Sequence, residues 1–83
     1  MAEKELARAI IKQALRDSIG KKDTQIRRDG RNFLLGSSPA WRNSLEDICF
    51  IAELSPDKIR KRAQFWDKNG WPKPKFLKNL LKF

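Results

Sequence analysis

The sequence predicts an all-helical fold of four to five short helices, and three observations carry the prediction. No stretch alternates apolar and polar residues for long enough to make a strand, whereas apolar residues recur at spacings of three and four. Gly20, Gly36 and Gly70 punctuate those stretches at the spacing of helix ends. A chain of 83 residues has room for one small domain. At this size folding buries only about 60–65% of the surface the unfolded chain exposes, so the core is thin and needs most of its aromatic residues.

The elements follow in order. Leu6, Ile10 and Ala14 form one stripe with Ala7, Ile11 and Leu15 beside it, which predicts an amphipathic helix from Ala2 to Ser18, closed by Gly20 as a C-cap. A second helix is expected over 24–35, with Asp23 or Thr24 as N-cap, Ile26, Phe33 and Leu34 inward, and Gly36 as its stop. Gly30 inside it costs about 1 kcal/mol relative to alanine, and is either a close approach to another helix or a tolerated defect.

Ser37, Ser38 and Pro39 read as a breaker, and Asn43 followed by Glu46 offers a capping pattern for a third helix over 44–53. Its inward set is Leu45, Ile48, Cys49 and Ala52, with Trp41 on the same stripe. Ser55, Pro56 and Asp57 then give the strongest helix start in the chain: a capping hydroxyl, a proline at the first position and an acid in the first turn. Ile59, Ala63 and Trp66 face the core of this fourth helix, which ends near Asn69 and Gly70. Residues 1–70 thus make the helical domain. Residues 71–83 form a Pro/Lys-containing tail, extended around Pro72 and Pro74 and amphipathic over Phe76–Phe83.

With 40% hydrophobic and 35% charged residues the chain is too apolar for disorder and too charged for a membrane span. One cysteine cannot make an internal disulfide, and the opening Met-Ala-Glu-Lys-Glu lacks the order of a secretory signal, so a cytoplasmic location is expected. There is no histidine, which removes the commonest general base near neutral pH and the commonest zinc ligand. Acid pairs such as Glu46 with Asp47 and Glu3 with Glu5 point to different helix faces, and no glycine-rich phosphate loop or metal-ligand spacing occurs. A non-enzyme without cofactor or metal is expected. Cys49 is read as core packing, since it has no cysteine or histidine companion.

The net charge is +9, a strong pointer to a polyanionic partner. It is uneven: residues 1–54 hold ten Lys/Arg against eight Asp/Glu, and residues 55–83 hold nine against two. The run Ile48-Cys49-Phe50-Ile51-Ala52-Glu53-Leu54-Ser55-Pro56-Asp57-Lys58-Ile59, continuing to Ala63, resembles the helix-turn-helix of bacterial and phage DNA-binding proteins. A small residue, Cys49, stands where two helices cross; Leu54 plugs the turn, Ser55 caps the new helix and Ile59 holds it down. Glu53 occupies a turn position usually given to glycine because its backbone is left-handed, and Arg62 a place usually apolar.

That resemblance implies a helix-turn-helix core at 44–68 whose recognition helix, Pro56 to Asp67, enters the major groove of double-stranded DNA. The residues it puts at the interface are Ser55, Pro56, Asp57, Lys58, Arg60, Lys61, Arg62 and Gln64, with Lys73 and Lys75 of the tail on phosphates. The bland alternative for the basic ones is a solvated helix face. The reading is a small sequence-specific DNA-binding regulator of bacterial, phage or prophage type. Its rival is a protein-binding adaptor or inhibitor acting through the basic amphipathic C-terminal segment, which also offers a homodimer contact. Trp71, beside Pro72, is either a docked anchor or an exposed contact.

Overall fold

The computed structural model describes residues 3–20 and 24–76. They form four helices, α1 (Glu3–Ser18), α2 (Gln25–Leu35), α3 (Pro39–Ala52) and α4 (Pro56–Asn69), followed by a short 3-10 turn at Pro74–Phe76 where an extended chain was expected. No strand occurs among the described residues, and no helix there is long and apolar enough to cross a membrane. The expected N-cap alternative Asp23 and the amphipathic segment beyond Phe76, with Lys78 and Lys82, lie outside the described residues.

The helix ends follow local chemistry. Thr24 caps α2, its Oγ1 accepting from the Arg27 N–H at 3.2 Å. At the other end Gly36 adopts φ 59°, which lets its own N–H and that of Ser37 fold back on the Phe33 and Asn32 carbonyls. The third helix begins five residues before its expected start. Ser38, not Asn43, is the N-cap: its Oγ accepts from the Trp41 N–H at 3.3 Å, with Pro39 at the first helical position. The apparent breaker is the same serine–proline start that opens α4 at Ser55-Pro56. Gly20 is also corrected, for it has no left-handed backbone; its N–H reaches the Asp17 carbonyl at 3.4 Å, and arginines of α2 take over the capping.

The core is made by Ala7, Ile11, Ala14 and Leu15 of α1, Phe33 and Leu34 of α2, Leu45, Cys49 and Ala52 of α3, and Ala63 of α4. Of the stripe Leu6, Ile10 and Ala14 on α1 only Ala14 is buried; Leu6 is 64% and Ile10 41% exposed, and Ile26 of α2 is likewise exposed. Helix α2 is the centrepiece, packing on all three others; α1 also packs along α3, while α4 rests mainly on α2. Gly30 sets how closely α2 approaches the C-terminal half of α1. A Cβ there would meet the Ala14 carbonyl oxygen at 2.9 Å and Ser18 Oγ at 3.0 Å, so α2 crosses α1 at near backbone contact. Ser18 is fully buried at that crossing and satisfies its hydroxyl on the Ala14 carbonyl at 2.6 Å.

Arginines fasten the helix ends to one another. Arg31 Nε donates to the Ser18 carbonyl at 2.9 Å and Arg27 Nη1 to that of Gly20 at 3.3 Å, both at the end of α1. Arg60 of α4 donates to the Leu35 carbonyl at 3.3 Å at the end of α2, and Arg8 of α1 to the Ala52 carbonyl at 3.0 Å at the end of α3. The last carbonyls of a helix lack intrahelical donors and carry the negative end of its dipole, so a cation from a neighbouring helix both satisfies and locks them.

Candidate functional site

The expected DNA-contacting residues lie on α4 and just beyond it, and their surroundings sort them. α3 ends at Glu53, which takes the left-handed conformation at φ 57°; the Glu53 and Leu54 N–H groups close back on the Phe50 and Cys49 carbonyls at 3.3 and 2.9 Å. Lys4 Nζ stands 3.1 Å from the exposed Glu53 carboxylate. Two residues on, the Ser55 hydroxyl accepts from the Lys58 N–H at 3.4 Å and Pro56 opens α4. The side chain of Ser55 is therefore engaged as a cap.

Along α4 only Ala63 is fully buried, while Ile59 and Trp66 are half-buried against the core. Opposite them Asp57, Lys61, Gln64 and Lys68 recur at helical spacing, and all four are exposed. Lys58 and Arg62, one turn apart, form a flanking exposed stripe, with the Arg62 guanidinium 6.0 Å from the Trp66 ring. Arg60 stands apart from both stripes. It is half-buried, bonded to Leu35, and packed over Gly36. Lys68 was missing from the sequence-based set, although its spacing of seven from Lys61 places it on the same face.

Lys73 and Lys75 are exposed past the end of α4, with Lys75 Nζ 5.2 Å from the Phe76 ring. They are brought back beside the domain by Trp71, which is a docked anchor. Its ring lies 5.7 Å from that of Trp66, its indole N–H donates to Asp67 at 3.3 Å, and the Arg31 guanidinium sits 4.7 Å above it. The outer stripe of α4 and the two tail lysines are held by one framework.

No protein-family model, curated protein or solved structure matches this chain. Among the described residues no three His, Cys, Asp or Glu side chains gather in a way that would hold a metal ion. Cys49 is fully buried, and burial pushes its thiol from 9.0 up to about 11.

The sign of that shift gives a pH dependence. Because the folded thiol ionises later than the unfolded one, its contribution is complete below pH 9 and is lost as pH rises toward 11. Two units correspond to about 2–3 kcal/mol. Urea denaturation between pH 8 and 11 is expected to show this extra loss in the native protein and not in Cys49→Ala. Parallel pH curves for the two proteins would contradict it.

Proposed function

We propose that this chain is a small sequence-specific DNA-binding protein, a transcriptional regulator of bacterial, phage or prophage type, in which α3, the turn at Glu53–Ser55 and α4 act as a helix-turn-helix. The observation that carries the reading is the outer stripe of α4, where Asp57, Lys61, Gln64 and Lys68 stand exposed opposite the buried Ala63. A capped helix presenting lysine and glutamine in line has the donors that base edges in the major groove accept: lysine for the O6 and N7 of guanine, glutamine for the N6 and N7 of adenine. Lys58 and Arg62 on one flank, and Lys73 and Lys75 past the helix, supply phosphate contacts that set register without reading sequence. Arg60 belongs to the scaffold in this scheme, since its guanidinium is bonded to Leu35. The excess of basic residues after position 54 gives the same segment its long-range attraction for a polyanion.

The test is selection from a random duplex pool followed by binding isotherms on the enriched sequence and on random DNA. Lys61→Ala is expected to cost about 1–3 kcal/mol on the enriched sequence and to flatten the preference. Lys73→Ala is expected to weaken both DNAs alike and to lower the magnitude of the salt slope by about 0.9. Absence of any enriched sequence, or equal losses on both DNAs for both variants, would overturn the reading.

A further inference from the structure

Phe65 stands on the outer face of α4 and is 64% exposed. Successive residues of a helix are turned by about 100°, so Lys61 and Phe65, two places either side of the buried Ala63, point most nearly away from the core. They are neighbours there. One exposed ring on a protein surface is ordinary. What sets this one apart is its company, for the residues one turn away on α4 are Lys61, Arg62, Lys68 and Asn69, all exposed and three of them cations. Asp67, the nearest acid along the helix, accepts from the Trp71 indole N–H at 3.3 Å. Phe50 on α3 makes the contrast: it is 85% exposed, but Glu46 and Asp47 precede it by one turn.

We propose that Phe65 is a sequence-reading residue that contacts the 5-methyl group of a thymine in the major groove. The role rests on the DNA-binding reading and adds to it the base that the apolar part of the face selects. A phenyl ring has no donor or acceptor for the base edges, and the one apolar group that the base pairs display in the major groove is the thymine methyl. The surrounding cations fit that role. A protein partner covering Phe65 would have to strip water from three cations to gain one ring, whereas DNA brings phosphates to the cations together with the methyl. Lys61 and Phe65 are separated along the helix axis by about 6 Å, close to the rise of two base pairs. The thymine is therefore expected within about two base pairs of the position that Lys61 reads.

The experiment uses the full chain, the duplex it enriches from a random pool, and copies of that duplex in which one thymine at a time is replaced by deoxyuridine, which lacks only the methyl. One such replacement, within about two base pairs of the position whose preference Lys61→Ala flattens, is expected to weaken binding by the native chain about fourfold, the worth of one buried methyl group. Phe65→Ala is expected to bind the thymine and deoxyuridine duplexes alike, and Phe65→Leu, which keeps an apolar tip, to tell them apart. Phe65 lies outside the buried core and the deoxyuridine arm needs no variant, so a loss of folding cannot mimic the result. Replacement of every thymine without loss, or a loss that Phe65→Ala shows in full, would overturn the assignment while leaving the DNA-binding reading in place. No enriched sequence at all would overturn both. A Phe65→Ala defect larger on the single strand than on the duplex, and not rescued by leucine, would equally overturn it, since it would make the ring a stacking surface for single-stranded nucleic acid.

Discussion

Leu45→Ala is expected to cost about 4 kcal/mol, the upper part of the range for enclosed leucines, because Leu45 has no exposed surface and stands in the core formed by α1, α2 and α3. A domain of this length holds about 4–12 kcal/mol in all, so the variant would retain at best about two thirds of its stability and at worst none. Leu34→Ala is expected to cost nearer 3 kcal/mol. Leu34 is equally buried but lines a groove between α1 and α4, so water and neighbouring side chains can reach part of the space it leaves. Ile59→Ala, at a residue only half-buried, is expected to cost about 1–2 kcal/mol. Urea midpoints for the three variants check the order. An Ile59 variant weaker than the Leu45 variant would mean that α4 is anchored differently from the way the packing indicates.

That order differs from what the sequence suggests, and the reason is physical. Periodicity places Ile59, Ala63 and Trp66 on one face of α4, and the face is right, but it carries no information about how closely a neighbour approaches it. Since α4 leans on α2 and leaves a groove toward α1, the smallest of the three, Ala63, is the one fully enclosed. The same limit applies on α1, where two adjoining stripes are equally apolar in sequence, yet Leu6 and Ile10 of one are exposed while Ala14 of that stripe is buried where α2 crosses. Helix boundaries are legible where a cap is a short local signal, as at Thr24, Gly36 and Ser55; Ser38-Pro39 carries the same signal, but a proline after serines also suits a break, and only the structure shows it as a first-turn residue. The basic residues of the candidate site were legible as a cluster. What sequence could not assign was Arg60, since nothing local indicates that its partner is the Leu35 carbonyl on another helix.

Gly30 carries the second large effect, and it runs against helix propensity. In an exposed helix interior, alanine in place of glycine stabilises by about 1 kcal/mol. Here the added Cβ would lie 2.9 Å from the Ala14 carbonyl oxygen and 3.1 Å from Asp17 Cβ, and the nearest of these atoms is backbone, which cannot swing aside. The two helices must separate, and the core residues that meet across them, Ile11 and Ala14 with Phe33 and Leu34, separate with them. Overpacking of this kind costs about 1–3 kcal/mol for a small increment and more for a large one. Gly30→Ala is therefore expected to be a net loss of about 1–2 kcal/mol, and Gly30→Leu a loss of about 3 kcal/mol or more, enough to leave a domain of this size partly unfolded at room temperature. Arg31 adds to the penalty, because its bond to the Ser18 carbonyl is made across the same crossing and lengthens as α2 moves off α1. Thermal unfolding followed by circular dichroism reads the outcome: a Gly30→Ala protein that melts higher than the native one would show that the helices cross with room to spare.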